Sequence, residues 1–565
     1  MLSGINGLKL LLVMSAVLLN YAFYAKRIAE IDGLAMTVVY LGLFGFCLLA
    51  VVGAAFIRRA GVRWFWALLF FAAGVAHDAN MRVMDNFLTY DSFVLMAHSV
   101  GFADAALRQY LGQILVSVPA SLLLSLAIVL PPKYESDGSV AKNGILMAAP
   151  VSVIIVLTGI LFARGGMGSN GLPAPLVVPS LATLYAVDLM ANDHGPRQAV
   201  SIPLATDRNT GPEDVVLVVD ESVRGDYLDI NHPAGIASGL SSAPPGAQLW
   251  NLGVAASATN CSVGSNVIMR FGGTRANYRK NVQTQPSIWA YAGEAGFETI
   301  YIDAQSEYKF FNGMDDAEIQ QIDRIIQFKD VPPKDRDVAS AEILAGLLGD
   351  GKRQLILVNK LGGHFPVHDK YPDDYLVYEP VLARGVLDDS KPIIKSVFGN
   401  EAVDWERYKN SYRNTLLWSV GHYFERLFAK ADFSRTVMIY TSDHGQNFHE
   451  RGEPGSYTHC SSGKRPSMEE GAVPLVLVLG HGAGITYSLD LQVKLKDATS
   501  HYAVFPTLLR ALGYEVEPVR QMYGDSLLHH HHDPMTFNSR FEARLGQKPV
   551  WQKVSPGLVK GPPAG

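Results

Sequence analysis

Two apolar stretches of the chain decide its fold: residues 215–222 read VVLVVDES, and residues 435–445 read RTVMIYTSDHG. Each is a short run of β-branched and aliphatic residues that ends in acidic or imidazole side chains. Three further apolar runs lie at residues 298–303, 354–360 and 473–480, with helical periods between them. Buried strands that alternate with helices predict an α/β domain with a largely parallel central sheet, which we assign to residues 213–565.

The region before this domain is far more apolar. The chain of 565 residues is 48% hydrophobic with a mean hydropathy of +0.12, and residues 1–165 hold nearly all of its long apolar stretches. We predict a transmembrane domain there, built from five α-helices of about 20 residues, the length that crosses the hydrocarbon of a bilayer. The predicted spans are residues 8–25, 34–56, 64–81, 110–130 and 145–163. Membrane spans are favoured over a globular domain, because the latter would need several helices that are apolar on every side.

The basic residues that flank the spans predict the orientation of the chain. More of them fall on the side of the N-terminus than on the other side, which predicts a cytoplasmic N-terminus. An odd number of spans then places everything after residue 165 outside the cytoplasm. Residues 82–109 would share that outer face, where their mixed sequence suits either interfacial helices or an ordinary loop. Residues 166–212, rich in Gly, Pro, Asn and Ala, are predicted to form a linker with one short helix.

Charge and composition disfavour several classes of protein. The net charge of −5 leaves no basic surplus to neutralise phosphates, so nucleic acid is not expected as a partner. Three cysteines are too few for a disulfide framework. A transporter is disfavoured because ionisable residues are rare within the predicted spans, with His77 and Asp78 as the main exceptions.

Polar residues stand where the apolar strands of the α/β domain end. Glu221 follows VVLVVD, and Asp443 with His444 follows TVMIYTS before a glycine that lets the backbone turn sharply. Open α/β sheets bind ligands at this edge. Two carboxylates with one imidazole form a mixed oxygen and nitrogen set, which suits zinc. Any one of them alone would also be an ordinary residue at the end of a strand.

Ser262 is the candidate nucleophile. It lies in AASATNCSVGSNVIMRFGG, residues 255–273, where small polar residues lead into the apolar period of a helix that we expect to begin near Ser262. A hydroxyl there lies at the positive end of the helix dipole, which favours an alkoxide and an incoming phosphate. The alternatives are an N-cap serine without catalytic role, or Cys261 as the nucleophile. We prefer Ser262 because a thiolate would bind zinc more tightly and displace less readily.

Two histidines in Gly- and Pro-rich loops complete the candidate site. His364 lies in KLGGHFPVHDKYP, and His459 lies in SYTHCSSG. Imidazoles at the same edge of the sheet can hold a phosphoryl oxygen, protonate a leaving group or bind a second zinc. The alternative is that both are surface histidines of loops. The run from His529 to His532 is expected to be exposed and is assigned no catalytic role.

This order of motifs resembles the membrane-anchored phosphoethanolamine transferases of the alkaline phosphatase and sulfatase superfamily, the family of the lipid A modifying enzymes. The resemblance covers nearly the whole chain: apolar spans, then Glu in VVDES, a hydroxyl at a helix start, GGHFP, SDHG and YTHC. It implies a tight zinc site formed by Glu221, Ser262, Asp443 and His444. It places His364 and His459 at the substrate phosphate, and DNFLTYD at residues 85–91 in an interfacial segment.

The resemblance also implies an activity. Zinc-activated Ser262 attacks the phosphate of phosphatidylethanolamine, diacylglycerol leaves, and the phosphoethanolamine held on the serine passes to an envelope glycan or to lipid A. The protein would then be a multi-pass protein of the bacterial inner membrane with its catalytic domain in the periplasm. Transfer of glycerol phosphate or hydrolysis of a phosphodiester would use almost the same metal site. A membrane sensor or scaffold without catalysis would retain the same fold.

Two features depart from the lipid A enzymes. Those enzymes usually have a threonine as nucleophile and several disulfides in the outer domain, whereas this chain has Ser262 and only two cysteines there. Serine is closer to variants that modify other glycans, such as cellulose. The sulfatase consensus around an oxidised cysteine or serine is absent after Cys261, so a true sulfatase is not expected. Because Cys261 and Cys460 adjoin two proposed site residues, a bond between them is a hypothesis that mass mapping tests.

Overall fold

The computed structural model describes residues 4–31, 33–84, 86–98, 103–133, 140–191, 195–206, 211–306, 313–384, 402–452, 458–461, 466–541 and 548–559. The chain forms two compact units. The first, which we call the helical unit, contains residues 1–193, and the second, the sheet unit, contains the described residues that follow.

The helical unit consists of helices that pack through a shared apolar core. Its described helices are α1 (Gly4–Leu19), α2 (Tyr21–Ala29), α3 (Leu34–Ala55), α4 (Ala60–Met84), α5 (Tyr90–His98), α6 (Ala103–Val129), α7 (Val140–Ala163) and α8 (Ala174–Ala191). Long side chains that point away from this core, such as Leu49 and Leu68, are exposed. Large apolar side chains exposed on several helices suit contact with lipid better than contact with water.

Within the described residues, five helices are long and apolar enough to cross a membrane: α3, α4, α6, α7 and α8, the last at Ala174–Ala191. The number and type predicted from sequence are therefore confirmed, but the set differs at its two ends. The predicted span 8–25 is broken at Asn20, where α1 and α2 bend by 55° and pass the same test only as a pair. Helix α8 lies within the segment predicted as a linker, because Pro175 and Pro179 resembled loop signals although packed helices tolerate proline.

Residues 82–109, predicted to be interfacial helices or a loop, contain helix α5 and the start of α6. Phe87, Leu88 and Tyr90 are buried in this segment. The Tyr90 hydroxyl donates a hydrogen bond to Asp188 Oδ2 of α8 at 3.0 Å. Residues 85 and 99–102 lie outside the described residues.

The sheet unit is built around a seven-stranded sheet in the order β2-β7-β6-β1-β5-β3-β4. Its strands are β1 (Asp214–Asp220), β2 (Ala247–Ala256), β3 (Glu298–Asp303), β4 (Arg324–Gln327), β5 (Gln354–Asn359), β6 (Thr436–Ser442) and β7 (Ala472–Gly480). A second, two-stranded sheet joins β8 (Thr536–Asn538) to β9 (Trp551–Lys553). The five strands β4, β3, β5, β1 and β6 pair in parallel, whereas β7 pairs antiparallel with both of its neighbours, β6 and β2. The predicted α/β class with a largely parallel sheet is confirmed.

Helices connect and cover these strands. They are α9 (Ser262–Phe271), α10 (Tyr278–Thr284), α11 (Ile288–Glu294), α12 (Asp316–Ile319), α13 (Pro333–Leu347), α14 (Ala402–Leu416), α15 (Tyr423–Lys430), α16 (Leu489–Leu495), α17 (Val504–Ala511) and α18 (Val516–Tyr523). Every residue of β1, β5 and β6 is buried. Strands covered on both faces need continuous apolar runs, which is why these segments read VVLVV and TVMIY rather than alternating with polar residues.

The register of β1 and β6 positions the site. Asp220, the last residue of β1, pairs with Ser442, the last residue of β6. The backbone N–H of Asp443 donates to the carbonyl of Asp220 at 2.9 Å, so the two strands finish side by side. Glu221 and Asp443, the next residue of each strand, therefore leave the sheet at the same point.

Candidate active site

Glu221, Ser262 and His444 converge at the carboxyl edge of the sheet. Ser262 Oγ donates to Glu221 Oε1 at 3.2 Å and lies 3.2 Å from His444 Nε2. The Nε2 atom of His444 is 3.4 Å from Glu221 Oε1. Glu221 is 2% exposed and His444 is 0% exposed, whereas Ser262 is partly accessible. The one accessible member of the cluster is thus the hydroxyl predicted to be the nucleophile.

Asp443 completes the cluster and is held rigidly. Its Oδ1 accepts hydrogen bonds from the backbone N–H groups of Ser222 at 2.9 Å and His444 at 2.7 Å. Its Oδ2 is buried and has no hydrogen-bond partner among the described residues, and it lies 3.6 Å from His444 Nε2. Burial and the neighbouring charge of Glu221 raise the pKa of Asp443 well above its usual range. Two carboxylates that repel one another in a buried place favour a bound cation.

The chemistry of the donors fits zinc. One ligand atom each from Glu221, Asp443 and His444 can be chosen so that all three lie within 4.8 Å of one another. The Nδ1 atom of His444 is 2.8 Å from the Gly445 carbonyl, to which it donates, so Nε2 presents its lone pair to the cluster. Ser262 Oγ offers a fourth ligand atom. Two carboxylates, one imidazole and one hydroxyl correspond to the ligand types and number that zinc accepts.

Ser262 is the first residue of α9 and is not its N-cap. The N-cap is Cys261, whose extended backbone precedes the helix and whose side chain makes no capping bond. The expectation of a helix that begins near Ser262 is confirmed. The interpretation of Ser262 as a capping serine is wrong in this structure, because its hydroxyl points to Glu221 and His444. The first turn of the ten-residue helix therefore directs its N–H groups to the space beside that hydroxyl.

A disulfide ties the start of α9 to the loop that carries His459. Cys261 and Cys460 are bonded, with their Cα atoms 4.9 Å apart. This confirms the hypothesis that the two cysteines meet, and it excludes Cys261 as a thiolate nucleophile in this state. The backbone N–H of Cys460 also donates to the carbonyl of Asn260 at 2.8 Å. The His459 ring consequently lies against the His444 ring, with centroids 4.4 Å apart and an interplanar angle of 22°.

His364 approaches the site from the loop after β5. The N–H of the preceding Gly363 donates to the Glu221 carbonyl at 2.8 Å. A side chain on Gly362 would lie 2.8 Å from the backbone nitrogen of Glu221, so only glycine permits this contact. His364 itself is exposed, and the charge of Glu221 acts on both His364 and His459. Burial lowers the pKa of His459, which therefore favours the neutral imidazole.

Several residues that hold Glu221 in place were not predicted from the sequence. Ser222 donates through Oγ to Glu221 Oε1 at 2.9 Å, and its backbone has a φ of 62°, in the left-handed region. The carbonyl of Ser222 accepts from Tyr412 Oη at 2.8 Å and from Gln446 Nε2 at 3.2 Å. Gln305 Nε2 donates to Glu221 Oε2 at 3.3 Å. Gln305 comes two residues after β3, so the rule that found Glu221 and Asp443 at strand ends applies to it as well.

Other histidines of the sheet unit have other surroundings. His501 is buried between strands, where its Nδ1 accepts from the Ala258 N–H at 3.1 Å and its Nε2 lies 3.0 Å from Thr441 Oγ1. His529, His530 and His532 are not buried. None of these belongs to the cluster around Glu221.

Comparison with known proteins identifies the class of protein to which this fold and site belong. The Sulfatase family model matches residues 213–514, and the chain belongs to the Sulfatase family. Within this superfamily, the predicted resemblance to the phosphoethanolamine transferases is confirmed by two relatives.

The first relative is a curated protein and the second is a solved structure. The Kdo(2)-lipid A phosphoethanolamine 7''-transferase of Salmonella typhimurium is 22% identical over 416 residues, which are 68% of this chain and 68% of that protein. The integral membrane lipooligosaccharide phosphoethanolamine transferase A from Neisseria meningitidis has a TM-score of 0.59 at 16% identity. That likeness covers 91% of this chain and 96% of the other, so it extends over both units of the fold.

Proposed function

We propose that this protein transfers phosphoethanolamine from phosphatidylethanolamine to an envelope glycan or to lipid A, with Ser262 as the covalent nucleophile. The observation that carries the proposal is the position of Ser262 Oγ, 3.2 Å from Glu221 Oε1 and 3.2 Å from His444 Nε2, at the start of α9. The names of the two relatives, which act on lipid A and on lipooligosaccharide, support the group transferred and the class of acceptor. The apolar helices of the first unit agree with a donor that resides in a membrane.

Glu221, Asp443, His444 and Ser262 are the residues that would hold zinc. When bound, zinc lowers the pKa of a coordinated hydroxyl and neutralises charge on a phosphoryl group. Glu221 Oε1 is placed to accept a hydrogen bond from the hydroxyl and so to orient its oxygen. The N–H groups of the first turn of α9 would bind the non-bridging phosphate oxygens, since a helix N-terminus favours anions.

In the first step, a neutral site imidazole, His364 or His459, takes up the proton of Ser262 Oγ, which forms a bond to phosphorus while the bond from phosphorus to the diacylglycerol oxygen breaks. The same imidazole, now protonated, gives that proton to the leaving oxygen. In the second step, an acceptor oxygen attacks the same phosphorus, the bond to Ser262 breaks, and the serine recovers its proton. Burial lowers the pKa of His459 to about 3, so its imidazole is neutral before the reaction and can accept a proton.

Mass spectrometry of the envelope tests this proposal. Lipids and glycans from cells with the intact gene should contain an acceptor that carries an added phosphoethanolamine, together with released diacylglycerol. Ser262→Ala should remove both while the protein remains folded in the membrane. Ser241→Ala is the matched control, because that serine lies in the same unit and its hydroxyl bonds to Asp229 instead of to the cluster.

The peptide that contains Ser262 provides a second, independent measurement. A phosphoethanolamine adduct on this peptide after brief exposure to the lipid would support the covalent step. A glycerol phosphate adduct would favour the alternative donor, phosphatidylglycerol. Full transfer by Ser262→Ala would overturn the mechanism, and purified protein that binds no zinc and modifies no acceptor would favour the sensor or scaffold interpretation.

A further inference from the structure

A small cavity with a few polar groups lies inside the helical unit, among helices that are long and apolar enough to span a membrane. Its walls come mainly from apolar residues of α1, α3, α4, α6 and the start of α8. Four polar side chains also line it, namely Asn20, Tyr24, Asp78 and Ser121. Its volume is about 40 Å³, which is room for a small group or a few waters but not for a whole lipid.

Asp78 is the acidic residue of this cavity. It is 2% exposed and lies in α4, within a segment apolar enough to cross a membrane. Asn20 Nδ2 donates to Asp78 Oδ2 at 2.6 Å, and His77 Nδ1, 3.3 Å from Asp78 Oδ1, donates to the other oxygen. Ionisable groups in such segments are costly, and they usually mark a site that binds or moves something polar.

The ends of three helices meet at the cavity. Asn20 separates α1 from α2, which bend by 55° at this point, and Pro173 with Pro175 stands at the beginning of α8. Helix ends leave backbone carbonyl and N–H groups without partners inside the helix, so they can interact with a ligand. The bend at Asn20 thus brings an amide, a carboxylate and irregular backbone together inside an otherwise apolar unit.

The groups that line the cavity favour a cationic ligand over an anionic one. The described residues that line the cavity include a carboxylate, an amide and two hydroxyls, and none of them is Lys, Arg or His. An anion would meet the oxygen atoms of a carboxylate, whereas an ammonium group would donate hydrogen bonds to those atoms in an apolar surrounding. The volume suits a primary ammonium group, which donates three hydrogen bonds, better than a bulky trimethylammonium group.

We propose that this cavity binds the primary ammonium group of a membrane phospholipid through Asp78 and Asn20. The apolar walls would hold the first methylene groups next to the ammonium, while the acyl chains remain in the bilayer. This adds a lipid site to the helical unit, and it does not depend on the transfer chemistry proposed for Ser262.

The test measures lipid retention by the full-length chain carrying Ser262→Ala, so that turnover cannot consume the ligand. The purified protein is equilibrated with equal amounts of dioleoyl phosphatidylethanolamine and dioleoyl phosphatidylcholine, and native mass spectrometry counts the lipids that stay bound. We expect the ethanolamine lipid to be retained at least fivefold over the choline lipid. Asp78→Asn, which preserves shape but removes the charge, should abolish this preference.

Asp188→Asn is the matched control, because Asp188 is also a buried carboxylate of the helical unit, but it bonds to Tyr90 and does not line the cavity. It should retain the wild-type preference. Ala16→Leu fills the cavity while leaving every polar group in place, and it should also lose the preference. This second variant decides the matter if Asp78→Asn does not fold, as judged by its thermal unfolding.

A parallel arm uses free ethanolamine in equilibrium dialysis, which separates a lipid source from a soluble one. Retention of the ethanolamine lipid that depends on Asp78 supports the proposal. Binding of free ethanolamine that depends on Asp78, without any lipid preference, would confirm the ammonium chemistry and overturn the lipid source. Equal retention of both lipids with no binding of ethanolamine, or an undiminished preference in Ala16→Leu, would overturn the site itself.

Discussion

Two buried carboxylates at opposite edges of the central sheet have opposite surroundings. At the beginning of β1, Asp214 is 1% exposed and accepts hydrogen bonds through Oδ2 from the Gly349 N–H at 3.2 Å and from Thr436 Oγ1 at 3.3 Å. At the other edge, directly after β6, Asp443 lies beside Glu221 and His444. In each aspartate the other oxygen, Oδ1 of Asp214 and Oδ2 of Asp443, is buried without a partner among the described residues.

The two carboxylates differ in the groups that surround them. Asp214 has neutral donors as partners, and desolvation raises its pKa to about 7, so taking up a proton relieves the cost of burial. Asp443 shares its place with a second carboxylate and with an imidazole whose lone pair faces it. A bound cation offsets the repulsion between these groups better than a single proton does. Burial of an acidic group is therefore not evidence of a metal site until several ligand atoms converge.

Removing the charge at Asp443 should have the largest effect. In Asp443→Asn, the amide oxygen can still accept from the Ser222 and His444 N–H groups, so the fold should persist while one charged ligand is lost. We expect bound zinc to fall to background and transfer to fall by more than about a hundredfold, because even partners behind the ligands cost up to that much. Zinc content by elemental analysis and transfer by mass spectrometry measure the two losses. The control Asp214→Asn should bind as much zinc as the wild type. Loss of zinc in that control would contradict the distinction drawn between the two carboxylates.

Loss of the disulfide should have an intermediate effect, on stability. The bond between Cys261 and Cys460 joins positions separated by 199 residues, so it restricts the unfolded chain strongly. Replacing both cysteines with alanine should lower the free energy of unfolding by about 2–5 kcal/mol. Transfer should also decrease, because the His459 loop is no longer tied to α9. Cys47→Ala, in the helical unit, is the control for thermal unfolding. Equal midpoints for the double variant and the wild type would contradict this expectation.

The smallest effect is expected at Asp214 and depends on pH. Its folded-state pKa of about 7 lies above the ordinary value of 3.8, so the folded protein binds this proton more tightly than the unfolded chain. The stability that Asp214 contributes is therefore fully present below about pH 4 and is lost as pH rises to about 7. Asp214→Asn should remove this part of the decline. Thermal unfolding of both proteins between pH 4 and pH 8 measures it, and parallel profiles would show that Asp214 is ionised throughout.

The sequence predicted the components of this molecule better than their arrangement. Local periodicity located the strands β1, β3, β5, β6 and β7 and four of the apolar helices, because side-chain pattern and backbone hydrogen bonding repeat over a few residues. The same pattern missed the break at Asn20 and the apolar helix α8, where an amide and prolines resembled loop signals. It missed Ser222 as well, whose importance lies in contacts with Tyr412 and Gln446 from elsewhere in the chain.

The amino-acid sequence by itself determined that apolar strands end in Glu221, Asp443 and His444, and that a hydroxyl begins a helix at Ser262. Only the tertiary structure decided that these groups meet, since the register of β1 with β6 brings Asp220 beside Ser442 and the disulfide brings His459 beside His444. The physical reason is that strand pairing and cross-links join residues far apart in the chain. Such contacts depend on the packing of the whole sheet, which no local stretch of sequence encodes.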